Sequence, residues 1–521
     1  MRLLRSTAII ASLTLVSRVL GLVRDVLIAR YLGAGAVSDA FFTAFKLPNV
    51  FRRMFAEGAF NAAFVPLYAK RIEREGEEAA DGFASEAAAA LFATVAVLVI
   101  LFELTMPVSL NIIGFGLDRQ PGEDGVAPYD LAVLYAMITM PYLFFMSVTA
   151  LFSGVLNTRN RFALAAGVPI LLNLFMIAAL SLTPRLGVGQ REIGLALCAA
   201  IALSGAAQAA AVIWGARQAG MSLHIKRPRL TPGVRRLVVL GIPGIISAGI
   251  TQINLLVSHL IATFQASAAS WLAYADRLYQ LPLGMIGIAM GVALLPTLSR
   301  SLRAGDEASA MATQNRAIEL SMLFTLPAAV ALYVIPDLLI AGLFQRGAFT
   351  ADTTAQVAKA LELFALGLPA FVLIKVLTPA FFAREDTKTP MVWAGVSAAI
   401  NISLGLVLFR TMGFQGLALA TSVAAWTNVA GLSTLLLRSR RLVPDRRLRA
   451  RLPRIAAAAA LMGVALVWFR GFVPNLAEMG LLMDAAWLVA LSGAGAAVFI
   501  VAAASLRAYG LADFVDAFRK K

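Results

Sequence analysis

The chain has 521 residues, of which 60% are hydrophobic and only 14% charged. Soluble domains carry about 25% charged residues, so this composition excludes a water-soluble globular protein and leaves no soluble domain of useful size. A single cysteine, Cys198, and two histidines, His224 and His259, exclude a disulfide framework and a conventional zinc site.

The N-terminus, MRLLRSTAIIASLTLVS, has the charge-then-apolar look of a signal peptide. The apolar run continues to Leu32 through Arg18, Arg24 and Asp25 without a small-residue cleavage site, so it reads as a retained first span. Further along, runs such as 87–106 and 485–506 reach the roughly 20 apolar residues that cross a bilayer. In chain order the expected spans are 8–32, 37–68, 84–107, 129–156, 162–183, 192–216, 235–264, 268–299, 317–343, 354–382, 390–410, 415–437, 454–471 and 482–506. That is an all-α polytopic membrane protein of about fourteen transmembrane helices.

Alternate connections are basic, among them Arg159 and Arg161, Arg217 to Arg236, and RSRRLVPDRRLRARLPR at 438–454. Counting termini, about 30 of the 45 Lys and Arg fall on that side and about 8 on the other. The positive-inside rule therefore places the basic loops and both termini in the cytoplasm. The net charge of +16 is then a matter of topology and contact with membrane lipids, not of nucleic-acid binding.

The chain also repeats itself. Pro141, Gly167-Val168 and Asn173 meet Pro369, Gly395-Val396 and Asn401 at an offset of 228, which also sets NTRNR (157–161) beside EDTKT (385–389). GLAL recurs at 194–197 and 416–419, and Val23 to Pro48 matches Val257 to Pro282 at 234. Each copy has six spans, an even number, so both cross the membrane in the same sense. Parallel repeats form two lobes with a substrate site between them. The expected organisation is an N-terminal lobe at 1–220, a C-terminal lobe at 221–440, and an extra span pair at 441–521.

Charge inside a span costs roughly 2.5–3.5 kcal/mol even on the lenient insertion scale. Yet the second span carries Asp39, Lys46, Asn49, Arg53, Glu57 and Asn61 at spacings of 7, 3, 4, 4 and 4, one helical face. Arg52 lies beside that stripe. Arg53 and Glu57, one turn apart, can pair locally. The first span adds Arg18, Arg24 and Asp25, and the eighth adds Asp276, Arg277 and, one turn on, Gln280. These are the leading two spans of each copy. One reading makes them ion pairs that lock helices together. The other makes them a central cationic cavity for an anionic substrate. Arg18, Arg24, Arg52, Arg53, Arg277 and Lys46 outnumber Asp25, Asp39, Glu57 and Asp276, which favours the cavity. Guanidinium forks suit phosphate oxygens bidentately. His259 reads as a packing residue rather than a proton relay.

An enzyme would need an acid cluster, a metal set or a nucleophile–base pair. The sequence has no HExxH, no Asp-rich metal motif and no Gly-rich phosphate loop. The expectation is a transporter without cofactor or metal, driven by the membrane potential, a monovalent-cation gradient or the fate of its substrate.

SRVLGLVRDVLIARYLGAGAVSDAFFTAFKLPNVFRRMFAEGAFNAAFVP (17–66), WLAYADRLYQLPLG (271–284) and FFAREDTKTP (381–390) strongly resemble the MurJ/MviN lipid II flippases of the multidrug/oligosaccharidyl-lipid/polysaccharide exporter superfamily. The resemblance implies movement of lipid II, the undecaprenyl-diphosphate precursor of peptidoglycan, to the outer leaflet, with cell-wall synthesis proteins as neighbours. It maps the family's required residues onto Arg18, Arg24, Asp25, Asp39, Arg52, Arg53 and Arg277. One member has a carboxylate where this chain has Gln280. The last two spans resemble those that form a groove for the prenyl tail. The runner-up is a flippase for another polyprenyl-diphosphate oligosaccharide or a drug exporter of the superfamily; the rival class is a membrane enzyme acting on polyprenyl phosphates.

Overall fold

The structure is a computed structural model that describes residues 2–54, 60–120, 127–222, 224, 226–474, 476 and 480–509. Among the described residues all regular structure is helical. The chain divides into two compact units, Met1–Ser270 and Trp271–Lys521.

The first unit contains α1 (Arg2–Leu32), α2 (Ala36–Phe51), α3 (Phe60–Glu75), α4 (Glu77–Leu104), α5 (Met106–Gly114), α6 (Pro128–Thr139), α7 (Pro141–Thr158), α8 (Phe162–Gly167), α9 (Pro169–Leu182), α10 (Gln190–Gln218) and α11 (Pro232–Ala262). α12 (Ala268–Arg303) starts at the last residues of that unit. The second unit continues with α13 (Glu307–Val334), α14 (Pro336–Phe344), α15 (Ala351–Phe382), α16 (Lys388–Met412), α17 (Phe414–Arg438), α18 (Arg446–Arg470) and α19 (Leu481–Ser505).

Ten stretches among the described residues are long and apolar enough to cross a membrane. They cover the expected spans three to six and nine to fourteen. The other four expected spans, the charge-bearing leading pair of each copy, fall on α1, on α2 with α3, on α11 and on α12.

Prolines explain where the expected spans break. Span nine was expected unbroken over 317–343, but α13 stops at Val334, Ile335 leaves the helical region (φ −126°, ψ 40°), and Pro336 opens the nine-residue α14. The ring of Pro336 disfavours helix at the residue before it. Span three ends alike: Thr105 (φ −113°, ψ 19°) precedes the nine-residue α5, with Pro107 in its first turn. The repeat thus extends to a pair of short helices: α14 falls inside the expected span nine, whereas α5 lies mostly beyond the end expected for span three at 107.

The repeated GLAL motif also has a steric reason. A side chain at Gly194 would come within 2.1 Å of the Tyr135 hydroxyl, and one at Gly416 within 2.5 Å of the Leu408 carbonyl group. Small residues at these points let neighbouring helices approach closely.

Packing places α11 against α3, α4 and α5. The compact units therefore part at 270/271, one helix later than the lobe boundary expected at 220. In the second unit α18 packs on α13 and α19, and α19 on α14. The extra helix pair belongs to that unit's core, where Ile455, Met462 and Leu466 meet Leu323 and Ile335.

Candidate substrate-binding site

α1 presents its polar residues to α9 (Pro169–Leu182), and the first contact is a chain of hydrogen bonds. Arg24 donates through Nε and Nη2 to Asp25 Oδ1, at 2.9 and 2.7 Å, and through Nη1 to Asn173 Oδ1 at 2.9 Å. Asn173 Nδ2 in turn donates to the Ser17 carbonyl at 2.9 Å. Ser17 and Arg24 are seven apart, two turns of one helix face. Arg24 and Asp25 are both 8% exposed. A guanidinium this deep is costly to bury without an anionic partner and acceptors for its donors, and Asp25 with Asn173 supply them. Arg18 is half-buried on the same helix and makes no ion pair among the described residues.

In α2, Asp39 is fully buried, and its Oδ1 accepts from the Ser270 N–H at 2.9 Å and the Ser270 hydroxyl at 2.5 Å. It ties the start of α2 to the beginning of α12. One turn on, Thr43 Oγ1 lies 2.9 Å from His259 Nε2, joining α2 to α11. His259 is therefore a buried, hydrogen-bonded residue within this packing. Lys46 is half-buried. Arg52 is half-buried and donates through Nε and Nη2 to Asn49 Oδ1, at 3.1 and 2.8 Å.

The polar stripe changes character at this point. Residues 52–54 form a π-helical turn, wider than an α-turn and frequent at functional sites. A stripe extrapolated at 3.6 residues per turn therefore drifts beyond Arg52, and Arg53 is exposed. Glu57 lies outside the described residues, as does the Asn61 side chain, so the expected Arg53–Glu57 pair does too.

In α12, Asp276, Arg277 and Gln280 are all half-buried. Gln280 Nε2 donates to Asp276 Oδ2 one turn away. An amide here is a donor as well as an acceptor, which lets Gln280 neighbour Asp276 without like-charge repulsion.

Two further polar clusters hold the extra helix pair, and the sequence reading passed over both. Glu319 of α13 is fully buried and accepts from Arg316, from Arg447 at 3.3 Å and from Arg451 at 2.8 Å. Asp484, at the start of α19, is fully buried and paired with Arg346 at 2.7 Å. A lone acid inside an apolar run is itself a flag, and Glu319 met that test.

Chemically, the leading helices display guanidinium and ammonium groups with amide and carboxylate supports. Groups of this kind have the chemistry to suit anions. No group of three or more His, Cys, Asp or Glu that could hold a metal ion occurs among the described residues.

Residues 28–486 match the family model described as lipid II flippase MurJ. A probable lipid II flippase MurJ of Rhizobium tropici is 44% identical over 469 residues, covering 90% of this chain and 87% of the relative. The lipid II flippase MurJ of Burkholderia cenocepacia is 36% identical over 435 residues, 82% of each chain. Among solved structures, lipid II flippase MurJ in an inward closed conformation superposes with a TM-score of 0.77 at 25% identity, covering 95% of this chain and 98% of that one. An inward-facing multidrug MATE transporter follows at 0.67 and 14% identity, covering 83% and 98%, a likeness of fold alone.

Proposed function

The chain belongs to the MurJ family of lipid II flippases, and from that membership we propose that it carries lipid II from the cytoplasmic to the periplasmic leaflet by alternating access. The observation that carries this reading is the 44% identity held over 90% of the chain. A drug exporter shares the fold at 14% identity, too little to compete. The work is transport rather than catalysis: the site offers cations and hydrogen-bond donors that bind a diphosphate and release it unchanged.

Arg18, Arg52, Arg53 and Arg277 are the proposed contacts for the diphosphate, with Lys46 adding a point charge. The fork of a guanidinium takes two phosphate oxygens at once. Arg24 has a different task in this reading. Three of its donor bonds already go to Asp25 and Asn173, so it positions α1 beside α9 and contributes field rather than a fork. Asp39, Asp276 and Gln280 hold their helices in place. The prenyl tail stays in lipid, against α18 and α19. Energy comes from the membrane potential or a monovalent cation. Both termini face the cytoplasm of an inner-membrane protein, beside the cell-wall synthesis machinery that uses its product.

Depletion of the protein in cells, followed by a leaflet assay, tests the assignment: lipid II should accumulate in the inner leaflet, and unchanged distribution would refute it. Within the site, Arg52→Lys and Arg277→Lys should leave folded yield normal and weaken lipid II binding, because charge is kept and the fork is lost. Arg24→Ala should instead lower folded yield, since it strands the buried Asp25. Equal yield losses for all three would reduce the arginines to helix locks.

A further inference from the structure

Away from the charged helices, the first unit carries a groove of about 400 Å³ whose chemistry the transport reading does not use. Its walls come from the end of α7, the turn 159–161, the start of α8 and the last turns of α10. Leu156, Leu164 and Trp214 form the apolar part, and Asn160, Arg161 and Gln218 the polar rim.

The local backbone explains this arrangement. α7 ends in a turn where the Arg161 N–H reaches back to the Leu156 carbonyl at 2.8 Å, with Asn160 at φ +59°. This is the six-to-one closure of a helix C-terminus, and asparagine tolerates the left-handed residue it needs. The turn projects Arg161 outward, exposed, at the rim. Below it, Leu164 lies against the backbone of α10 at Gly215, where any added Cβ would come within 2.2 Å of its methyl group. Trp214 stands beside it, 59% exposed, one turn before Gln218. Tryptophan with an apolar flank and a polar end settles at membrane–water interfaces.

Charge on the rim has one sign. Arg161 and the neighbouring Arg217 are both exposed, none of the lining residues is acidic, and neither arginine makes an ion pair among the described residues. Arg161 stands in a connection, and Arg217 in the last turn of the helix before one, that the charge distribution assigns to the cytoplasmic side.

We propose that this groove is a binding site for an inner-leaflet anionic phospholipid. The phosphodiester sits on Arg161 with Asn160 and Gln218 as hydrogen-bond partners, and the upper part of one acyl chain lies along Leu164, Leu156 and Trp214. The second unit supplies an internal contrast. Its corresponding turn has the same closure, Asp386 N–H to Phe381 carbonyl at 3.1 Å with Glu385 at φ +62°, but an acid stands where Arg161 does. The proposal therefore assigns the lipid to the first unit's turn and not to its counterpart.

The test uses the full chain purified in detergent, with thermal unfolding followed as phosphatidylglycerol, phosphatidylcholine or inorganic phosphate is added. Phosphatidylglycerol should raise the unfolding temperature more than phosphatidylcholine, and phosphate should not raise it. Loss of one basic contact at a membrane surface weakens anionic-lipid binding about fivefold; Arg161→Glu should weaken it at least that much and remove the rise. Arg440→Glu, an exposed basic site elsewhere, should keep it. A rise retained in Arg161→Glu, lost equally in Arg440→Glu, or reproduced by phosphate alone would overturn the site. Wild-type protein gives an independent reading: a photoreactive phosphatidylglycerol should label peptides containing 156–164 and 214–219, and labelling confined to other peptides would overturn it as well.

Discussion

The turns at 156–161 and 381–386 are the same device in two copies of a repeat, and their surroundings make them differ. Each ends a long helix with a six-to-one hydrogen bond and a left-handed residue, Asn160 or Glu385. Each holds an arginine that reaches the first turns of a preceding helix. Arg159 Nη2 meets Asp81 Oδ1 at 2.6 Å, and Arg384 Nη2 meets Glu307 Oε2 at 2.7 Å. By distance the pairs are equal. By burial they are not: the Asp81 side chain is 3% exposed and that of Glu307 60%. Asp81 also accepts from the Tyr68 hydroxyl at 2.8 Å and the Ser222 N–H at 2.9 Å, so it joins α4 to α3, α7 and the α10–α11 connection. Position in the packing, rather than the length of an ion pair, decides what the pair contributes.

The largest consequence follows at Asp81. Its loss leaves a buried guanidinium with only the exposed Glu77 as anionic partner among the described residues, at 3.5 Å, and takes an acceptor from a phenol and a backbone donor; breaking a buried pair costs about 3–5 kcal/mol. Asp81→Ala should therefore lower the unfolding temperature of the purified protein sharply, and Arg159→Ala combined with it should recover part of the loss. Strictly additive effects in that cycle would show that the two side chains do not act as a pair.

A smaller effect is expected at Asp386, where the second turn departs from the first. Its Oδ1 accepts the Thr389 N–H at 2.9 Å, satisfying one of the free donors at the start of α16. That backbone N–H holds the Asp386 carboxyl below the usual carboxylate range, against the smaller opposing effect of burial. Asp386→Ala should cost about 1 kcal/mol, as loss of a helix cap does. A carboxyl lowered in the folded state stabilises fully above its ordinary pKa of about 4, and the gain is lost as pH falls through the lower folded value. The alanine variant should lack that acid-side loss, measured by unfolding between neutral pH and pH 3. Parallel pH profiles for variant and parent would remove Asp386 from the account.

The smallest effect belongs to Glu307. An exposed pair contributes about 0–1 kcal/mol, so Glu307→Ala should hardly change the unfolding temperature and should lose its remaining effect in high salt. A loss matching that of Asp81→Ala would mean that burial does not separate the two copies.

This comparison also corrects the repeat itself. Sequence matching at an offset of 228 set NTRNR beside EDTKT. The backbone instead places Arg159, Asn160 and Arg161 on Arg384, Glu385 and Asp386, three residues earlier, because the hydrogen-bonded turn and the positive φ coincide there. Gly167 and Gly395 still match at 228, so the second copy carries three extra residues between its turn and that glycine, one of them before α16 and two within it. Hydropathy is blind to a change of register this small.

Much of the candidate site was legible before any coordinates. Arg18, Arg24, Arg52, Arg53 and Arg277 stand out because charge is rare in apolar helices. What they touch was not. Arg18 and Asp25 share a face by spacing, yet Asp25 binds its neighbour Arg24. Lys46 and Asn49 lie on the expected stripe, but the π-turn at 52–54 alters the period beyond them. Asp39 reads from spacing only as part of the polar stripe, and it is fully buried on Ser270.

Composition, hydropathy and the repeat are local or additive properties, so the order of residues alone establishes the membrane class and most of the helical spans, and its motifs carry the family resemblance. The partners of buried polar groups are of another kind. Arg24 and Asn173 are 149 residues apart, and Asp39 and Ser270 are 231 apart. Whether they meet depends on the rotation and depth at which helices pack, which side-chain volumes such as the missing Cβ of Gly194 set in three dimensions. Helical periodicity orders residues around one axis; only packing relates one axis to the next.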